Sequence, residues 1–295
     1  MMTLPASLRA LRAAFRLARV GLHLLQGAAT VALIYPSIAE PMRLALKRRW
    51  SRQLVLALGV KLETSQPSEL MGLVVANHVS FLDIYVINAL APAAFVSKDD
   101  VRSWPLIGWL CDHTDTIFLQ RGSRNAAHHA RHELAQHLAE GRLVALFPEG
   151  TTSSGEQVLP FHSALLQSAV DTGTPVTPVA LRYVDGDGNS CQDAAYVGDT
   201  SLLECLWSIA SSRGLVAQTQ VLEPIASSGK ERRHLAAEAH RLIAQGLAGE
   251  FSPSRSASPA AHRGTDRPAG LPAAPRSIGL PTGIRNPAPA DSIPA

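Results

Sequence analysis

Six short apolar runs, at 73–76, 94–96, 116–119, 143–147, 176–181 and 216–221, are separated by stretches of helical periodicity near 81–90, 124–140, 161–173 and 230–249. Runs of three to six residues are the length of strands and too short for buried helices. Strands alternating with helices predict an α/β domain, a mixed sheet flanked by helices, over 61–251. With 46% apolar residues in 295, the chain can fill the core such a domain requires. Cys111, Cys191 and Cys205 are widely spaced and form no CxxC pair. That pattern argues against a disulfide framework and a structural zinc site, and no metal is expected.

Charge is distributed unevenly. Residues 1–52 hold nine Arg or Lys against Glu40, a net of +8, whereas 53–251 carry −8 and 252–295 carry +3. A basic leading segment points to an anionic surface, and the neighbouring apolar residues decide which kind. Arg9, Arg12, Arg16 and Arg19 recur at helical spacing beside Leu8, Leu11, Phe15, Ala18 and Leu22. This is the pattern of a helix lying in a membrane interface, so lipid is expected rather than nucleic acid. A mostly apolar run, 20–35, follows and stops at Pro36; its sixteen residues fall short of the roughly 20 that span a bilayer. A second basic stretch (Arg43, Lys47, Arg48, Arg49, Arg52) precedes an apolar run at 54–60. The expectation is a two-helix membrane-interfacial segment over 1–60. The rival readings are a signal peptide, with Ser37-Ile38-Ala39 as a small-residue cleavage site, and an ordinary buried helix. Residues 252–295 hold nine of the 20 prolines with no apolar period, the composition of a disordered tail.

Three motifs sit at strand ends. The run 73–76 delivers Asn77-His78-Val79-Ser80-Phe81-Leu82-Asp83. This places His78 in a turn and Asp83 in the first turn of the next helix, where a carboxylate can fix an imidazole tautomer and let the other nitrogen take a proton from a hydroxyl. Ser80 and Asp83 also read as a capping box beside an incidental turn histidine. The run 143–147 ends in Phe147-Pro148-Glu149-Gly150-Thr151-Thr152-Ser153, a forced tight turn whose amides and hydroxyls can meet a polar head group, or a plain strand-to-loop turn. The run 116–119 ends in Gln120-Arg121, with an arginine able to grip phosphate bidentately or simply to sit in solvent.

Taken together, in this order and spacing over 73–181, the motifs resemble those of the lysophospholipid acyltransferases, a family that includes the 1-acylglycerol-3-phosphate acyltransferases. Asn77, His78 and Asp83 match N-H-x-x-x-x-D. The residues 117–121 match an apolar run ending in Arg, 147–151 match F-P-E-G-T, and Val176-Thr177-Pro178-Val179 match an apolar strand with an internal proline. The resemblance implies His78 as general base and Asp83 as its orienting partner. It implies Asn77, Ser80, Arg121, Phe147, Pro148, Glu149, Gly150 and Thr151 as groups that bind substrate. The reaction implied moves an acyl group from acyl-CoA or acyl carrier protein to a lysophospholipid, lysophosphatidate first and a phosphate-free lysolipid such as lyso-ornithine lipid second. It implies no cofactor, and a place on the cytoplasmic face of the inner membrane. Two positions depart from the family pattern: Thr152 where many members have Arg, and Asp115 where many have Gly.

Other patterns fail their own tests. His132 and His137 are five apart, not the four of His-Glu-x-x-His, so 128–137 reads as a solvated helix. Asp185-Gly186-Asp187-Gly188-Asn189 opens like a calcium loop, but Ser190 and Tyr196 replace its Gly and Glu, leaving a polar hairpin loop. There is no G-x-S-x-G and no nucleotide-type glycine loop. A non-catalytic lipid-binding protein and a thioesterase are the alternatives from other classes.

Overall fold

A computed structural model describes residues 6–65, 69–120, 124–249 and 251. The chain divides into two units, 1–255 and 256–295, and every described residue belongs to the first. The tail expected over 252–295 and Arg121 lie outside the described residues.

Two helices, α1 (Ala6–Leu33) and α2 (Glu40–Ala57), lead into β1 (Lys61–Ser65). Then come β2 (Leu73–Ala76), α3 (Asp83–Leu90), β3 (Ala94–Lys98), α4 (Ile107–Asp112), β4 (Ile117–Leu119), α5 (Arg124–Ala139) and β5 (Val144–Leu146). The domain closes with α6 (Gln167–Thr172), β6 (Val176–Val184), α7 (Leu202–Ser211), β7 (Val216–Val221) and α8 (Arg232–Ala248). The strands form one sheet in the order β1-β7-β6-β2-β5-β3-β4, antiparallel only between β6 and β7. The mixed α/β sheet expected from the sequence is thus the fold.

β2 is central and apolar on both sides because both faces are covered. Leu73 and Val75 pack with Leu134, Leu166, Leu235 and Ile243 beneath α5, α6 and α8. Val74 and Ala76 pack with Ile87 of α3 and Phe95 on the other face. The parallel pairing Val75↔Leu146 carries β2 and β5 to the same edge of the sheet, so both strand-end motifs emerge side by side. Three elements escaped the periodicity reading. β1 is a polar edge strand, half exposed, and α4 and α7 are short. The helix expected over 161–173 starts only at Gln167. The Leu159 amide is drawn off to the Glu149 carboxylate, and Pro160 supplies no donor.

The N-terminal pair corrects the sequence reading of its charges. Arg12 donates to the Ser211 carbonyl at 2.7 Å, and Arg16 to those of Ala210 and Ser212 at 3.0 and 2.9 Å. These are the orphan carbonyls at the C-terminal end of α7, where cations are favoured. Lys47 is also turned inward, donating to Ala93 and Thr114 carbonyls, and burial lowers its pKa to about 8. The outward face of α1 is the apolar one: Leu8, Leu11, Phe15, Leu22, Leu25 and Leu33 are all 48–75% exposed. His23, which interrupts the apolar run, stacks on Trp50 at 4.8 Å, and each of the two bonds the other's backbone carbonyl. α1 is 28 residues long, about 42 Å at 1.5 Å per residue, so length no longer argues against spanning. Its buried positions are Ala13, Val20, Gly27 and Val31, and by length and composition the stretch Ala6–Ser37 is apolar enough to cross a membrane.

Candidate active site

His78 leaves β2 in a turn closed by Asp83, the first residue of α3. Its Nδ1 lies 2.9 Å from Asp83 Oδ2. The same oxygen accepts the amides of Val79 at 2.7 Å and Ser80 at 2.9 Å. Oδ1 accepts the Tyr183 hydroxyl at 2.7 Å. Asp83 is fully buried, yet four donors satisfy it, so the charged carboxylate is tolerated. An ionised carboxylate only accepts, so Nδ1 carries the proton and the lone pair is on Nε2. The His78 side chain is 18% exposed, enough to meet a ligand. Phe147 lies flat on its ring at 3.9 Å and 7°, backed by Phe95 at 5.8 Å. The imidazole is fixed by a hydrogen bond in its plane and an aromatic face against it.

The second motif supports the first. Glu149, 4% exposed, accepts the His78 amide on Oε1 at 3.0 Å and the Leu159 amide on Oε2 at 3.3 Å. Ser153 donates its amide to the His78 carbonyl at 2.8 Å. Gly150 turns the chain at φ +68°, where a side chain is strained, and a Cβ would press to 3.3 Å from the His162 ring. Burial pushes the Glu149 carboxyl up from 4.5 to about 7, against the pull of its two amides. An acid with a raised folded pKa holds its proton more tightly in the fold. Its contribution to stability therefore falls as pH rises from about 4.5 to 7 and is flat outside that window. Across the window the loss is on the order of 3 kcal/mol. Denaturant unfolding of wild type and Glu149→Gln from pH 4 to 8 should show the slope reduced in the variant; identical slopes would mean that Glu149 is not the group responsible.

The sequence-expected residues part company here. His78, Asp83, Phe147 and Glu149 are brought together. Asn77 is 1% exposed and bonds both the amide and the carbonyl of Leu181, at 2.9 and 2.8 Å. It clamps β2 to β6 and does not face a ligand. Ser80 is fully buried and completes only half of the expected capping box: its amide meets the Asp83 carboxylate, while the Asp83 amide meets the Ser80 carbonyl, not the hydroxyl. Pro148 is buried and Thr151 exposed. Thr152 donates its hydroxyl to the Tyr196 carbonyl, and the Tyr196 amide bonds the Val79 carbonyl at 2.9 Å. The segment after β6 thus joins both motif loops, with the Tyr196 ring edge-on to Phe81 at 6.4 Å. Asp115, where many family members have Gly, stands at φ +60°, the left-handed region that favours Gly and that Asp tolerates. Tyr183 was missed because it lies inside the apolar strand β6, and Tyr196 because it lies in the loop beyond it; neither carries a motif of its own.

A polar cavity of about 540 Å³ opens elsewhere, at the β4 edge, between Arg102, Asp115, His137 and Arg142. None of its lining residues belongs to the His78 cluster, so the strand-end geometry and not this cavity marks the candidate site. Among the described residues no cluster of His, Cys, Asp or Glu is placed to hold a metal ion.

Residues 58–182 match the family described as Acyltransferase. A lyso-ornithine lipid O-acyltransferase of Pseudomonas aeruginosa is 38% identical over 73% of this chain and 83% of its own length. A 1-acyl-sn-glycerol-3-phosphate acyltransferase of Neisseria meningitidis is 40% identical over 56% of this chain and 65% of its own length, just under two thirds. The crystal structure of the 1-acyl-sn-glycerophosphate (LPA) acyltransferase from Thermotoga maritima shares the fold at a TM-score of 0.61, with 22% identity over 81% of this chain and 95% of that one.

Proposed function

The chain belongs to the acyltransferase family, and from that premise we propose that it O-acylates a lysolipid at a membrane surface with His78 as general base. The observation that carries this reading is the His78–Asp83 pair, with Nδ1 committed to a buried carboxylate and Nε2 free. Nε2 takes the proton of the acceptor hydroxyl as its oxygen attacks the thioester carbonyl of acyl-CoA or acyl carrier protein. The new C–O bond forms, the C–S bond breaks, and the imidazolium returns the proton to the departing thiolate. No enzyme nucleophile and no cofactor enter. Asp83 stabilises the imidazolium between the two transfers. The outward apolar stripe of α1 supports contact with a membrane, and the proposal puts that contact on the cytoplasmic face of the inner membrane.

The acceptor proposed is lysophosphatidate, the substrate for which the Neisseria relative is named. The second reading is a lyso-ornithine lipid, and one observation favours it. Thr152, where many members have Arg, is committed to the Tyr196 carbonyl and leaves the turn without a cation. Purified protein offered a labelled acyl donor and both lysolipids separates the two. If lysophosphatidate is the acceptor, Arg121→Ala should raise its KM about ten- to hundredfold, the worth of one charge-assisted contact, and Thr152→Arg should lower it or leave it unchanged. If lyso-ornithine lipid is the acceptor, Thr152→Arg should impair transfer by crowding a pocket shaped for a head group without phosphate. Protein that acylates neither would overturn both readings.

A further inference from the structure

We infer that Tyr183 is a positioning residue for the reaction: its hydroxyl fixes the plane of the Asp83 carboxylate and so the ring of His78. This rests on the reading of His78 as general base. Three of the four donors to Asp83 converge on Oδ2, and all three come from the same turn: His78 Nδ1 and the amides of Val79 and Ser80. They hold one oxygen and leave the carboxylate free to pivot about it. The fourth donor comes from a different strand. Tyr183 lies on β6, 3% exposed, and places Oη 2.7 Å from Oδ1. β6 is anchored on both sides there, by the pairing Tyr183↔Ala217 with β7 and by the Asn77 clamp to Leu181 two residues earlier. The phenol is therefore a fixed point in the sheet core against which the turn is set.

Its chemistry suits a donor. Burial first, then the Asp83 charge, push the phenol's ionisation well above its ordinary value, so it keeps its proton at any working pH. Without it, Oδ1 would be a fully buried acceptor with no partner, and a negative charge shared among fewer donors would bind the imidazolium more strongly. The Tyr183→Phe enzyme should then need a higher pH to free Nε2. Two other groups face the pair. The Cys205 thiol of α7 is pushed up to about 11 by burial and stays neutral. Glu149, pushed up to about 7 by burial, titrates in the assay range, so the same comparison is made in a Glu149→Gln background.

The test is a kcat and KM profile against pH for full-length Tyr183→Phe. Expected are a fall of about tenfold in kcat, the size of one buried hydrogen bond to a charged group, a KM little changed, and an acid limb moved to higher pH. Because Tyr183 acts through Asp83, adding Tyr183→Phe to Asp83→Asn should cost almost nothing further. If the Phe variant does not fold, 3-fluorotyrosine placed at 183 keeps the ring, donates more strongly and should move the acid limb the other way. Unchanged kcat and acid limb in a folded Phe variant, or an unmoved limb with fluorotyrosine, would overturn the inference while an inactive His78→Ala control leaves the general base standing. An active His78→Ala control would instead remove the premise.

Discussion

His78→Ala should abolish acyl transfer while the protein folds and melts normally. The ring contributes one hydrogen bond and one aromatic contact to the turn, and the remaining links survive without it. Glu149 still takes the residue-78 amide, Ser153 still meets its carbonyl, and Asp83 still holds the amides of Val79 and Ser80. What disappears is the imidazole whose Nδ1 is held by the Asp83 carboxylate, and with it the general base. Asp83→Asn should behave differently. An amide there sets an N–H against one of the donors that converge on the carboxylate. On the Oδ2 side the imidazole takes the wrong tautomer or a backbone amide loses its acceptor, and on the Oδ1 side the Tyr183 hydroxyl must turn to accept and its own proton goes unmet. The loss of rate should be on the order of 10²–10⁴, as for other His–Asp pairs, and stability should fall by about 1–3 kcal/mol, as a buried donor goes unmet. Steady-state assays with a labelled thioester, paired with thermal melts, measure both. Near-full activity in folded His78→Ala protein would end the general-base reading. A double variant losing no more than His78→Ala alone would show the two side chains acting as one unit.

Much of this site was legible in the sequence because the chemistry is local. Only four residues separate His78 from Asp83, and a strand-to-helix turn brings them together whatever surrounds it. Phe147 and Glu149 were legible as a motif, though not their part in it. Phe147 stacks on the imidazole, and Glu149 holds the His78 backbone, so both serve the base instead of offering themselves to substrate. Asn77 and Ser80 look like ligand-facing polar groups in a linear reading, yet their partners are Leu181, 104 residues away, and the first turn of α3. Tyr183 belongs to the same class: a tyrosine in an apolar strand reads as core until the register of β6 against β2 sets it opposite the turn. The arginines of α1 show the converse failure. Helical spacing correctly predicts that Arg12 and Arg16 share a face, but periodicity carries no information about what that face meets. In the fold it meets the end of α7, a helix that the sequence reading did not pick out.

That reversal gives the N-terminal helix its sharpest test. Replacing Leu11, Phe15 and Leu22 together by Asp should release the protein from vesicles of mixed zwitterionic and anionic lipid, with little change in melting temperature. Each of the three is 63–69% exposed, so none holds the domain together. Burying a large apolar side chain is worth roughly 1.5–3 kcal/mol, so three lost even at half depth should weaken partitioning by about fiftyfold or more, before the repulsion of three carboxylates from anionic lipid is counted. The double variant Arg12→Ala, Arg16→Ala should show the opposite pattern. A cation at the surface adds about 1 kcal/mol each to binding of anionic lipid if it faces the bilayer. Here both guanidinium groups are bonded to α7 carbonyls, so vesicle binding should hold while stability drops as those carbonyls lose their donors. Exposed Arg9 and Arg19 remain to meet lipid phosphates. Cosedimentation with vesicles and thermal melting of the same samples read the two quantities separately. If the aspartates leave binding intact and the arginine pair controls it, α1 meets the membrane through its charged face.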